Sequence, residues 1–438
     1  MKTINNIQRK FLYGIVIMFA FVLASCEDDK SNEVVIYGIY TNQLDTESTQ
    51  IISSYNEVWV RIEGSGFTGL QAIYCNGIQC YFLPTFVTDK YITFQISTNV
   101  LQAEDVEESV RGTIRVVTNH GEAIYRDFLF KDVNKRPSIT NISHTLPEPG
   151  DVIFIEGNNL TSTSEVYFPA EDGEVAATEF TVFDARIIGV TVPAGVGNTS
   201  GAIRIVSNGD SFYSPNYMFY RKGMMMDTFT GDVMIAGGSS NFKVYANRAE
   251  IAAATGLSRN PEYAMSFGAA PADVPVAGNN NAQYGHFKFW GNKALELAMA
   301  NSDGALTEST SMQNLAIQFD LYMLTPWTSG AIVLKIDKNQ AGVNSQVIRN
   351  ITPWNADNSY TFESGWRTIT VKFSEFPSLP ASTLGAYIDW YNTPGNRESL
   401  FGFYNFDVNN DGHTASTIAG FQMFMANIRM VPVTVPES

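Results

Sequence analysis

Asp151-Val152-Ile153-Phe154-Ile155-Glu156-Gly157-Asn158-Asn159-Leu160 decides the fold class of this chain. Its β-branched, period-two run closed by a Gly-Asn-Asn turn reads as a strand at the edge of a reversal. An earlier stretch, Val58-Trp59-Val60-Arg61-Ile62-Glu63-Gly64-Ser65-Gly66-Phe67, carries the same Ile-Glu-Gly ending 93 residues upstream. A second echo follows each of them. Gly112-Thr113-Ile114-Arg115-Val116-Val117-Thr118-Asn119 returns 89 residues later as Gly201-Ala202-Ile203-Arg204-Ile205-Val206-Ser207-Asn208. Two units of about 90–100 residues, built of short alternating strands and Gly/Asn turns, predict antiparallel β-sandwiches in tandem.

The pattern changes after Tyr220-Arg221-Lys222-Gly223. The remaining segment is richer in Gly, Asn and aromatics and holds five of the six tryptophans. Alternating runs at 315–323, 331–336, 366–373 and 421–431, separated by Gly, Asn, Asp and Pro, predict one larger sandwich of jelly-roll type. Helix is scarce, with 247–254 the best short candidate. The fold class expected for the whole chain is therefore all-β.

The N-terminus carries Lys2, Arg9 and Lys10, then an apolar run over 11–24 that ends in small residues before Cys26. That is the layout of a secretory signal, too short for a membrane span. Leu23-Ala24-Ser25-Cys26 resembles a bacterial lipoprotein signal, which implies cleavage before Cys26 and lipidation of its sulfur. The acidic run Glu27-Asp28-Asp29 is similar to the surface-export signal of Bacteroidetes lipoproteins. Three of the chain's 28 basic residues lie in this signal, leaving 25 against 44 acidic ones. Such a balance repels nucleic acid and anionic lipid, so the partner should be neutral or basic.

Cys75 and Cys80 are the remaining cysteines. Around the turn Asn76-Gly77 they read as a hairpin in which Cys75 faces Ile78 and Cys80 faces Ile73. The thiols are then diagonal neighbours, about 7 Å apart, a spacing marginal for a bridge that leaves both a free pair and a disulfide open.

The last domain carries the chemistry. A pyranose has apolar C–H faces and polar edges, so a neutral glycan is gripped by flat aromatic rings with amides and carboxylates around them. One stacked face of about 100 Å² contributes about 2.5 kcal/mol. Millimolar binding already needs about 4.1 kcal/mol, so two or three rings must act together. Trp327 in Thr325-Pro326-Trp327-Thr328 and Trp354 in Thr352-Pro353-Trp354-Asn355 follow prolines in polar turns and are the first candidates. Tyr360 lies close to Trp354 in sequence. Trp290, in His286-Phe287-Lys288-Phe289-Trp290, reads as core or ring platform. Trp390 and Tyr391, between Asp389 and Asn392, form a second rim cluster. Trp366 opens a strand and reads as structural.

No catalytic residue, cofactor or metal site is expected. None of the four histidines, His120, His144, His286 and His413, lies in a nucleophile or metal motif. Asp407-Val408-Asn409-Asn410-Asp411-Gly412 opens like a calcium loop, but Ile418 stands where the closing Glu is needed, so it reads as a tight polar turn. Glu363, Glu375, Asp389 and Glu398 keep a glycoside hydrolase as the alternative, beside a surface adhesin or structural protein.

Pro137-Ser138-Ile139-Thr140, Gly150 and Ile155-Glu156-Gly157-Asn158-Asn159-Leu160 resemble the IPT/TIG class of immunoglobulin-like domain, used as a spacer. With Gly365-Trp366-Arg367-Thr368, Asn405-Phe406 and Ile428-Arg429-Met430-Val431-Pro432, the whole is similar to the Bacteroidetes surface glycan-binding proteins of polysaccharide-utilisation loci. The likeness is to the B-type branch that binds xyloglucan or related β-glucans. It implies a signal peptide at 1–25, a lipidated acidic tether at 26–34, Ig-like domains at 35–133 and 134–222, and a glycan-binding sandwich at 223–438. It further implies platform roles for Trp327 and Trp354, an outer-membrane lipid anchor at Cys26, a neutral plant polysaccharide as ligand, and a TonB-dependent transporter and glycanases as neighbours.

Overall fold

Glu63-Gly64 and Glu156-Gly157 mark the same structural event twice. In each sandwich the strand ending in this pair crosses the first strand of its domain so closely that a side chain has no room. A Cβ on Gly64 would lie 1.9 Å from the Val35 carbonyl oxygen, and one on Gly157 would lie 1.9 Å from that of Ser138. Both crossings carry a register shift in the first strand, between Ile36 and Gly38 and between Ile139 and Asn141. The repeated Glu-Gly is thus the residue-level cost of a bulged strand pair.

The computed structural model describes residues 33–42, 48–101, 105–226, 228–235, 240–277, 284–335, 348–356, 359–363, 365–376, 379–392, 398–407 and 414–433. The signal, Cys26 and most of the polar turn 407–412 fall outside these residues. The chain forms two compact units, Met1–Arg136 and Pro137–Ser438.

In the first unit, one sheet runs Val35–Thr41, Trp59–Ser65, Tyr91–Gln95, Phe82–Val87, and the other Ile78–Cys80, Leu70–Cys75, Ile114–Thr118, Gly121–Tyr125. Val60, Ile62, Ile92, Phe94, Ile114 and Val116 fill the space between them. Asn76 and Gly77 both have positive φ, the type I′ hairpin geometry. Cys75 pairs with Ile78 and Ile73 with Cys80, and the two cysteines are buried free thiols.

The second unit opens with a sandwich of the same strand order. Its sheets are Ser138–Ile142, Val152–Asn158, Ile187–Thr191, Phe180–Val182 and Gly173–Ala176, Thr163–Ala170, Arg204–Ser207, Asp210–Tyr213. The larger sandwich beyond it, the head, has a five-stranded sheet, Phe242–Tyr245, Ala264–Val274, Ile418–Pro432, Leu315–Met323, Arg367–Lys372. Its four-stranded sheet is Gly285–Trp290, Glu398–Tyr404, Ala331–Lys335, Ile348–Ile351. Phe319 and Ile317 from one sheet and Phe287, Phe289, Phe401 and Phe403 from the other share one core. The fold is all-β, modified by short helices. Arg248–Thr255 has Asn247 as N-cap, its side chain accepting from the Glu250 N–H. Gly291–Ala300 and Leu384–Asn392, absent from the sequence reading, also pack onto the head core.

The second sandwich and the head are joined by a buried polar face. Asp320 and Arg429 point away from the head core and have no side-chain exposure. Arg429 donates to the Tyr220 carbonyl at 2.8 Å and to Thr145 Oγ1 at 2.7 Å. Asp320 accepts from Thr368 Oγ1 at 2.5 Å and from Asn427 Nδ2 at 2.7 Å, with His144 Nε2 at 3.4 Å. The Thr368 N–H donates to Ser143 O and the Gln318 amide to Tyr217 O. Burial raises the Asp320 carboxyl, but His144, Arg429 and Thr368 outweigh it and hold it below the ordinary carboxylate range. Burial pushes the Arg429 guanidinium down to about 10, against the pull of Asp320. The segment at 222–223, expected as a spacer boundary, is itself knitted in: the Met430 N–H donates to Gly223 O at 2.8 Å.

Candidate functional site

Trp327 and Trp354 do not form an exposed platform. Both are 0% exposed in the head core. The Trp327 indole N–H donates to Ser329 O at 2.9 Å, and that of Trp354 to Gly330 O at 2.8 Å. Trp327 also exchanges both backbone hydrogen bonds with Tyr360, and its ring packs 6.2 Å from that of Phe403. A preceding proline sets its own φ and orders the turn, yet the next ring turns inward when carbonyls there can accept its N–H. Each indole removes roughly 200 Å² from water. At ~25 cal/mol per Å² that is about 5 kcal/mol as an upper bound. Tyr360 is half-buried and packs against the same core. Its ring lies 5.3 Å from Phe362, edge to face, under the Arg367 guanidinium at 5.1 Å. Burial raises its hydroxyl, with Arg367 opposing.

The opposite outcome holds at the joint of the two unforeseen helices. Along Gly285–Trp290 the residues alternate, with Phe287 and Phe289 buried in the core and His286, Lys288 and Trp290 half-buried on the other face. Trp290 is the last strand residue, paired with Glu398, and helix Gly291–Ala300 starts directly after it. Helix Leu384–Asn392 buries Leu384, Tyr387, Ile388 and Tyr391, an i, i+3, i+4, i+7 stripe, and leaves Trp390 half-buried beside it.

Tyr391 is 1% exposed, which corrects its expected ligand role. Its ring occupies the space over Gly291, where a Cβ would come within 2.3 Å of ring carbons. Its hydroxyl is bonded to Ser399 Oγ at 2.6 Å. Tyr391 therefore positions its neighbour. Trp390 stacks on Tyr387 at 5.7 Å and 7° and meets Tyr391 edge-on at 5.0 Å.

Two residues beyond each tryptophan stands an asparagine, and the two meet: Asn292 Nδ2 donates to Asn392 Oδ1 at 2.9 Å. Lys288 and Glu398 form an ion pair at 3.5 Å beside Trp290. The Asn292–Asn392 bond thus ties together the segments that carry Trp290 and Trp390, and the Lys288–Glu398 pair lies on the strands at Trp290. Asn392 and Glu398 were named in the sequence, the first in the rim cluster and the second among the carboxylates, whereas the roles of Asn292 and Lys288 were missed. The signal was there as a repeated Trp-X-Asn, at 290–292 and 390–392. Half-open indoles offer apolar area to C–H faces, and the amides supply both donors and acceptors for hydroxyls.

The carboxylates that kept hydrolysis open are exposed or half-exposed. Glu375 is paired with Arg349 at 2.9 Å and Glu398 with Lys288. No group of His, Cys, Asp and Glu fit to hold a metal occurs among the described residues. Asp407, at the start of the polar turn, accepts from the Ala415 N–H.

Residues 237–432 match the family of surface glycan-binding protein B xyloglucan binding domains. An IPT/TIG domain-containing protein of Bacteroides ovatus is 29% identical over 175 residues, which cover 38% of this chain and 34% of that protein. The match thus spans about a third of that relative's length. The surface glycan-binding protein PbSGBP-B of Prevotella bryantii shares the fold, with a TM-score of 0.51 at 15% identity over 91% of this chain and 99% of that one. A B-type surface glycan-binding protein from a complex xyloglucan utilization locus in Bacteroides uniformis gives 0.43 at 14% identity, over 92% and 100% of the two chains.

Proposed function

Starting from a head whose residues 237–432 belong to the surface glycan-binding protein B xyloglucan-binding domain family, we propose that this chain is a non-catalytic surface glycan-binding protein. Its ligand is a neutral β-glucan of the xyloglucan or mixed-linkage class, held at the edge formed by Trp290 and Trp390. The carrying observation is the Asn292–Asn392 bond, which joins the two segments that bear the half-open indoles. Two stacked faces contribute about 5 kcal/mol. Before association costs that is on the scale of millimolar binding, about 4.1 kcal/mol, and hydrogen bonds from the amides to sugar hydroxyls help offset those costs.

In this reading lipid on Cys26 anchors the chain to the outer membrane, facing outward. The sandwiches at 35–133 and 134–222 act as spacers. The head retains polysaccharide for neighbouring glycanases and a TonB-dependent transporter. Affinity electrophoresis of the full chain through gels of xyloglucan, mixed-linkage glucan, mannan and xylan tests it. Retardation by one or more of the β-glucans, with no reducing ends released, is the expected result. Unretarded migration in every gel overturns it.

A further inference from the structure

A cleft of about 470 Å³ lies between the second sandwich and the head, and none of its lining residues belongs to the Trp290–Trp390 edge. The volume falls within the ~300–1,000 Å³ range of small-ligand sites. The second sandwich supplies one wall, through Glu148 and Asp151. The head supplies the other, through Leu257, Arg259 and Trp366, with Arg248 and Glu262 beside them. The site is therefore composite.

Its lining charges balance, with the guanidinium groups of Arg221, Arg248 and Arg259 against the carboxylates of Glu148, Asp151 and Glu262, and Arg221 donates to the Pro147 carbonyl. Arg248 bonds Glu148 at 2.8 Å and Glu262 at 3.1 Å, and Arg259 bonds Asp151 at 2.8 Å. An ionic ligand would have to break these pairs, and an apolar one would leave them without water. Paired carboxylates keep spare lone pairs, and paired guanidinium groups keep spare N–H donors. A ligand group that both donates and accepts suits them, and a hydroxyl does both. Asn427 and His144, each bonded to the buried Asp320, contribute further polar lining. Leu257 and the largely buried Trp366 add apolar surface for a C–H face. The Trp366 N–H is already spent on Asn260 Oδ1 at 3.1 Å.

We propose that this cleft is a second saccharide site, taking a short neutral oligosaccharide or a side branch of the polymer held at the tryptophan edge. The ligand class rests on the glycan-binding reading above, and the location does not.

Calorimetric titration of the full chain with a xyloglucan oligosaccharide tests it. Two bound oligosaccharides per chain are expected. Ser258→Trp, from the head wall, should reduce this to one with the thermal transition unchanged, and Asn198→Trp, from the sandwich wall, should do the same should the first fail to fold. The double variant Trp290→Ala/Trp390→Ala should also retain one, and adding Ser258→Trp should remove it. A wild-type stoichiometry of one that both insertions leave unchanged overturns the cleft and spares the platform. A single site that either insertion removes, but that survives loss of both tryptophans, overturns the platform and spares the cleft.

Discussion

Two pairs of tryptophans in one domain carry the same residue type to opposite ends. Trp327 and Trp354 have prolines before them and polar turn residues around them, yet their indoles are spent inside the core on the carbonyls of Ser329 and Gly330. Trp290 ends a strand and Trp390 lies in the last turn of a helix, where elements of fixed direction leave each ring partly in solvent. The difference teaches that exposure of a ring is set by what its N–H and faces can find nearby. Rigid elements present rings to solvent more dependably than turns, which can fold inward to satisfy them.

The contrast is broken most directly from its buried side. Trp327→Ala and Trp354→Ala should each cost about 3–5 kcal/mol, the range for truncating a core aromatic. Denaturant unfolding of the full chain measures this, and a cost under about 1 kcal/mol would return that ring to the candidate platforms. Asp320→Asn supplies a control remote from both pairs. Leaving Arg429 buried without its counter-charge should cost about 3 kcal/mol while polysaccharide affinity of the tryptophan edge at neutral pH stays within about twofold. Its sign with pH follows from the lowered Asp320 carboxyl. The stabilisation is complete above the unfolded carboxylate value and is lost as pH falls through the lower folded one. Wild type should therefore lose stability below about pH 4. The variant should show a shallower acid slope, and identical slopes would remove Asp320 from the account.

Smaller effects sharpen the exposed side. Trp290→Ala and Trp390→Ala should each weaken β-glucan binding about 10–100-fold, from about 2.5 kcal/mol of lost stacking, with little change in Tm. Equal affinity in both variants would dissolve the contrast. Asn292→Ala should weaken binding about fivefold, the scale of one lost hydrogen bond. A larger fall accompanied by a drop in Tm would make the asparagine pair a clasp between helices with no part in recognition.

Much of the fold was legible because strands announce themselves by alternation. The run 315–323 became Leu315–Met323, and Ile-Glu-Gly appeared at the same bulged crossing in both sandwiches. Asn-Gly produced the hairpin register that places Cys75 opposite Ile78. The candidate site was harder to read. Asp389-Trp390-Tyr391-Asn392 looks like a polar turn in isolation, and only Leu384, Tyr387 and Ile388 before it reveal a helical stripe. Nor could local sequence show that Tyr391 would lie over Gly291, a contact across 100 residues that leaves Trp390 as the half-open ring.

The polar weld between the second sandwich and the head bears on how such a chain can be recombined. A cut at residue 223 would strip Arg429 of the Thr145 and Tyr220 acceptors and leave a face evolved for contact open to water. A cut between Arg136 and Pro137 severs neither partnership. As an exchangeable cassette, whether shuffled in a genome or grafted onto a new anchor, the head travels with the sandwich before it.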